Sequence, residues 1–146
     1  MPTTSARRKT RIAVQFAVPR RGLPSAAALR GWARAASGAE VTLRIVGKRE
    51  ARRLNNRFRR KPTATNVLSF PYGSARGDVV LCHPLIAREA RAQRKTLAAH
   101  YAHLVVHGVL HLRGYDHEKK RDASRMERQE LRILRRIGFT DPYALE

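Results

Sequence analysis

Three histidines stand within eleven residues of this chain, at His107, His111 and His117, in an H-x3-H-x5-H spacing. On an α-helix, residues four apart lie about 40° apart around the axis and one turn along it. His107 and His111 can therefore aim ring nitrogens at one point. Gly114 can adopt the left-handed conformation that ends a helix, after which the chain can bring His117 back to that point. Three imidazoles with an open fourth position form the donor set of a catalytic metal, whereas four protein ligands mark a structural one. Zinc in such a site lowers the pKa of a water to roughly 7. Three imidazoles also suit nickel, copper or iron.

His103, His107 and His111 form a ladder at i, i+4 and i+8. Positions eight apart are separated by about 12 Å along a helix, so one ion cannot take all three. The pair nearest Gly114 is the one His117 can reach. His107 and His111 are thus read as ligands, and His103 as a support behind them or an ordinary core or surface histidine. His100 is read as a histidine of the core or surface. Gly108 occupies the place where H-E-x-x-H zinc peptidases carry their glutamate base, which argues against a peptidase of that design. It is also expected to leave bare backbone where a bulky substrate group could approach. Asp116 has two readings: it orients a ligand imidazole from behind, or it forms the turn after Gly114.

The charge balance names the class of partner. Lys and Arg total 31 against 11 Asp and Glu, a net charge of +20 on 146 residues. Such a field draws polyanions, and RNA or ribosomal contact follows as the expectation. Arginine suits phosphate because its planar fork donates two hydrogen bonds and stays charged. From spacing alone, any of Arg52, Arg53, Arg57, Arg59 or Arg60 could face a phosphoryl group near the metal. Cys82 is the only cysteine, so no internal disulfide forms, and it reads as a small buried strand residue. No apolar run approaches the roughly 20 residues of a membrane span. A cytoplasmic domain covering residues 1–146, without a membrane partner, is expected.

These residues must be positioned by a scaffold. Ile12, Val14, Phe16 and Val18 alternate as in a strand. Ser25 can cap a helix carrying Leu29, Trp32, Ala33 and Ala36 on one side. Val41–Val46 reads as a second strand and Lys48–Phe58 as a basic amphipathic helix. Asn66–Pro71 and Val79–Cys82 read as two short strands, with Tyr72-Gly73-Ser74 and Gly77-Asp78 as the turn between them. Pro84 can open a helix, Thr96 can cap the histidine-bearing helix, and a last helix spans about Lys120–Ile137 until Gly138 stops it. The fold class is α+β: a small mixed sheet of about four strands covered by helices. Residues 1–10 and the final few are expected to fray.

The pattern resembles a known family. His107-Gly108-x-Leu110-His111-Leu112-x-Gly114-Tyr115-Asp116-His117 is similar to the signature of the YbeY endoribonucleases and rRNA maturation factors. Leu54-Asn55-x-x-Phe58-Arg59, Asn66-Val67-Leu68-Ser69-Phe70-Pro71, Gly77-Asp78-Val79-Val80 and the ending Ile137-Gly138-Phe139-Thr140-Asp141-Pro142-Tyr143 resemble its other blocks. The resemblance implies a metal-dependent hydrolase of single-stranded RNA that acts in 16S rRNA 3′-end maturation and ribosome quality control. Its partners would be rRNA and the small subunit with its proteins. The resemblance implies one zinc on His107, His111 and His117, and it singles out Arg59 among the arginines as functional. Two departures stand out. In the loop Arg60-Lys61-Pro62-Thr63-Ala64 the family usually has a glycine where this chain has Arg60, then Lys-Asp, and its proline stands two places later than Pro62. The last helix is far more basic than the resemblance leads one to expect, with Arg125, Arg128, Arg132, Arg135 and Arg136. Two rival readings remain: a non-catalytic rRNA-binding assembly factor with a structural metal, or a metal-dependent hydrolase of another bond such as a peptide.

Overall fold

Five helices surround one four-stranded sheet among the described residues. The computed structural model describes residues 11–116 and 119–143. The segments expected to fray, residues 1–10 and 144–146, lie outside the described residues, and so does His117. In chain order the elements are β1 (Arg11–Phe16), α1 (Ala26–Ala35), β2 (Glu40–Val46), α2 (Lys48–Arg59), β3 (Val67–Gly73), β4 (Arg76–Cys82), α3 (His83–Ala92), α4 (Leu97–Leu112) and α5 (Lys120–Arg136). The sheet order is β1-β2-β4-β3. β1 pairs parallel with β2, β2 parallel with β4, and β3 antiparallel with β4. This is the α+β mixed sheet the sequence implied.

Period-two burial along the strands divides the core. Val41, Leu43, Ile45, Val79 and Leu81 join Leu29 and Ala33 of α1 and the apolar residues of α4. On the opposite face, Leu68, Val80 and Cys82 pack with Ala51 of α2. Cys82 is fully buried, as its place in the strand pattern suggested. Burial raises its thiol pKa, so it is no candidate nucleophile at neutral pH. Ser25 and Thr96 cap α1 and α4 as read, each side chain accepting from the backbone N–H three residues on.

The β3–β4 turn departs from the expectation. It is tighter, with Ala75 in the left-handed region at φ 58°, and Gly77-Asp78 lies inside β4. A Cβ on Gly77 would stand 2.2 Å from the carbonyl oxygen of Phe70. Gly77 therefore permits the close strand pairing beside the irregularity at Pro71/Gly73.

Gly108 is a second correction. It does not present bare backbone to a substrate. It is buried where α4 presses on the sheet, and a Cβ there would stand 2.6 Å from Cγ1 of Val79 and 3.3 Å from Oγ of Ser69. Ser69 and Val79 are register partners on β3 and β4, and the Ser69 hydroxyl donates to the Gly108 carbonyl at 3.1 Å. Absence of a side chain sets how deeply the histidine helix sits. Gly108→Ala is expected to lower stability by about 1–3 kcal/mol through overpacking, read as a lower Tm. In a double-mutant cycle, adding Val79→Ala recovers part of that loss, although Val79→Ala alone destabilises.

Candidate metal centre

The end of α4 explains how its histidines are held. Gly114 takes φ 96°. The Gly114 N–H donates to the His111 carbonyl and the Tyr115 N–H to the Leu110 carbonyl, both at 3.0 Å. Those two bonds form a Schellman stop. The reversal folds the Tyr115 carbonyl back over the helix end, where it accepts from Nδ1 of His111 at 3.0 Å.

His107 is held from the other side. Its Nδ1 meets Oε2 of Glu130 at 2.5 Å. Glu130 comes from α5 and is fully buried. Burial by itself raises its carboxyl pKa, but hydrogen bonds to His103 and His107 outweigh that and hold it at about 2. An ionised carboxylate only accepts, so the His107 Nδ1 carries the proton. The other carboxylate oxygen accepts from Nε2 of His103 at 3.1 Å and from the Tyr143 hydroxyl. Burial and the bond to Glu130 push the Tyr143 phenol well above its ordinary range.

With both Nδ1 protons committed, each ligand imidazole in its neutral form turns a lone pair outward at Nε2. The two Nε2 atoms lie 3.1 Å apart. Two lone pairs at that distance repel unless a cation lies against both. Two nitrogens on a tetrahedral zinc, each at 2.0–2.1 Å, stand about 3.3 Å from one another. The donor set and its spacing thus fit a metal. A second group also qualifies by proximity: ligand atoms of His103, His107 and Glu130 lie within 4.8 Å of one another and could hold a metal ion.

A cleft of about 620 Å³ opens beside the His107–His111 pair, and Arg59, Lys61, Asn66 and Asp116 line it with them. Arg59 ends α2, and its Nη2 donates to the Ser69 carbonyl at 3.2 Å. The loop behind it is anchored by Asn55, whose carbonyl receives the N–H groups of Arg60 and Lys61 and whose Nδ2 donates to the Thr63 carbonyl at 2.7 Å. Of the five arginines open on spacing, Arg59 is the one among the cleft's described lining residues. Asp116 lines the cleft, while the Nδ1 partners of the two ligand candidates are Glu130 and the Tyr115 carbonyl. His100 is a core histidine, with Nε2 on Glu89 at 2.8 Å.

Glu130 is the participant that reading the sequence missed. A signal existed: it is the one acid among Met126, Ile133 and Leu134 on the buried face of α5.

Comparison with known proteins places this architecture. A family model described as Endoribonuclease YbeY matches residues 24–138. The chain belongs to the YbeY family. Proteins named Endoribonuclease YbeY are similar to it along most of its length. One from Nitrosospira multiformis is 49% identical, over 93% of this chain and 82% of that protein. Another from Nitrosomonas eutropha is 49% identical, over 91% and 98%. The solution structure of TM1509 from Thermotoga maritima shares the fold, with a TM-score of 0.53 at 22% identity, covering 92% of this chain and 99% of that one.

Arg60, which stands where the family resemblance leads one to expect a glycine, adopts φ 56°. A left-handed conformation costs a side-chain-bearing residue roughly 1–2 kcal/mol, which glycine escapes at the expense of backbone entropy. Arg60→Gly is expected to stabilise the protein by about 0.5–1 kcal/mol. In urea unfolding this appears as a higher midpoint with an unchanged m-value.

Proposed function

We propose that this chain is a zinc-dependent endoribonuclease that cuts single-stranded RNA, a single domain working in the cytoplasm on the 3′ end of 16S rRNA with the small ribosomal subunit and its proteins. The observation that carries the reading is the His107–His111 pair, with both Nδ1 protons committed and Nε2 atoms 3.1 Å apart beside an arginine-lined cleft. Family membership supplies the reaction class and the rRNA role. His107, His111 and His117 hold the metal, His117 lying outside the described residues. When bound, zinc supplies Lewis acidity and makes a water acidic enough to attack at neutral pH.

The protein's own groups do the rest. Arg59, braced on the Ser69 carbonyl, holds a phosphate oxygen and offsets charge developing on it. Lys61 adds positive potential to the same wall. Among the described residues lining the cleft, Asp116 is the carboxylate able to exchange a proton there or orient an imidazole. Glu130 and the Tyr115 carbonyl fix the tautomers of His107 and His111, as carboxylate and carbonyl partners do behind metal-bound histidines.

The His103–His107–Glu130 group suits this bracing role better than a catalytic centre. Its carboxylate is fully buried, and its 2.5 Å contact is a direct hydrogen bond. The site has no glutamate after His107, and the chain carries +20; both favour RNA over a peptide.

The test is metal analysis of the purified protein joined to cleavage of single-stranded RNA with and without a chelator. Expected are about one zinc per chain, loss of cleavage on chelation and recovery on adding zinc back. Cleavage that survives complete metal removal would end the proposal. Equal activity on an unstructured protein would favour the alternative hydrolase.

A further inference from the structure

α5 has a face that the site at its other side does not use. Taking about 100° per residue, Arg121, Arg125, Arg128, Arg132 and Arg135 fall within an arc of about 80° directly opposite the buried Met126, Glu130 and Leu134. All five are exposed. Their spacing of four, three, four and three residues makes a stripe about 21 Å long, with a guanidinium roughly every 4.5–6 Å. Neither of the exposed or half-exposed acids of α5, Asp122 and Glu127, falls on that arc. Arg136 at its edge is tied to the Ala35 carbonyl at 3.0 Å.

Each like-charged neighbour at i+3 or i+4 destabilises a helix by about 0.2–0.5 kcal/mol. The stripe stacks four such pairs, so a polyanion along it relieves repulsion that the free helix carries.

Arg125 brings the end of the stripe near the cleft. A second concavity of about 550 Å³ is lined by Arg113, Gly114, Tyr115, Asp116, Asp122 and Arg125. Asp116 also lines the cleft of His107, His111 and Arg59, so the two hollows meet at that residue. A strand leaving the metal centre past Asp116 reaches Arg125 and then the exposed stripe. Among its described lining residues, the carboxylates of Asp116 and Asp122 offset the guanidiniums of Arg113 and Arg125, which leaves the net grip to the helix beyond.

We propose that the arginine face of α5 is a backbone-binding track for the RNA segment flanking the cut, reading phosphates and not bases. The inference rests on the reading that the cleft takes RNA. It predicts that affinity grows with strand length through contacts far from the metal.

The test uses the full chain in chelator, so that binding is read without cleavage. Fluorescence anisotropy compares single-stranded oligoribonucleotides of about 5 and about 20 nucleotides over a range of salt. For the triple variant Arg128→Gln, Arg132→Gln, Arg135→Gln, affinity for the longer strand is expected to fall about tenfold or more. The slope of log K against log salt should become shallower by about 2, at about 0.7 per lost phosphate contact. The loss should be confined to the longer strand, and the corresponding triple lysine variant should keep the slope.

Unchanged affinity and slope overturn the proposal and leave the face to an acidic protein partner. Equal losses on both strands also overturn it, since they report general charge and not a track. A wild-type protein that binds the longer strand more tightly in chelator, and still fails to cleave it once zinc is restored, would fail the catalytic reading alone.

Discussion

His111→Ala is expected to cut the rate of RNA cleavage by at least about a thousandfold, roughly 4 kcal/mol of barrier, and to strip the protein of its metal. The side chain has one nitrogen on the Tyr115 carbonyl and the other 3.1 Å from Nε2 of His107. Removing it leaves His107 and His117 as the remaining ligands of the proposed set. The fold should survive, because His111 is only half-buried at the end of α4, and the stop at Gly114 is made by backbone. A far-ultraviolet spectrum and a Tm near wild type would verify that.

The variant also separates the two groups that could hold an ion. His111 belongs to the His107–His111 pair but not to the His103–His107–Glu130 group. Metal analysis that finds a full equivalent of zinc in His111→Ala would move the ion to the second group and remove the basis for the proposed centre. Arg59→Ala should behave differently, losing cleavage while zinc content stays at wild-type level. Its guanidinium reaches the Ser69 carbonyl and the cleft, not the metal-facing nitrogens.

Half of this site was written locally in the chain, and half was not. The His107–His111 pair, the capping Thr96 and the stop at Gly114 lie within one helix and its ends. Helical geometry converts their spacing directly into positions. Strand alternation, another local pattern, located β1. What failed depended on contacts across the fold. Gly108 read as open backbone because its neighbour on the sheet, Val79, is set by the register of β3 on β4 and by how α4 crosses them. Gly77 read as part of a turn, while Ala75 takes the left-handed residue and Gly77 serves the strand pairing. Arg59 could not be separated from four other arginines by spacing. It is distinguished by where α2 ends, which Arg60 and Asn55 decide.

Glu130 was the hardest residue to see and carries the second large effect. It lies 23 residues from His107 on another helix, in a strongly basic segment with two other acids, Asp122 and Glu127, where an acid reads as a solvated charge. Glu130→Gln changes almost no volume, yet zinc affinity is expected to fall about 10–100-fold, with cleavage falling in step at limiting metal. A carboxylate accepts on both oxygens, and here three donors use them: His107 on one side, His103 and Tyr143 on the other. An amide offers one acceptor and one donor. If its NH2 faces His107, the imidazole must turn its Nδ1 into an acceptor and move its proton to Nε2, where it blocks the lone pair aimed at the metal. If the NH2 faces the other way, it meets the donors of His103 and Tyr143. One buried polar contact is then lost, at about 1–3 kcal/mol. Tyr143→Phe leaves the His107 bond intact, so it should lower stability with a smaller effect on zinc. Competition against a chromophoric chelator, with thermal melts of both variants, distinguishes these outcomes. Wild-type zinc affinity in Glu130→Gln together with an unchanged Tm would show that His107 needs no fixed tautomer, and the brace would lose its functional meaning; wild-type affinity with a lowered Tm would place the amide oxygen on His107 and the lost contact at His103 and Tyr143.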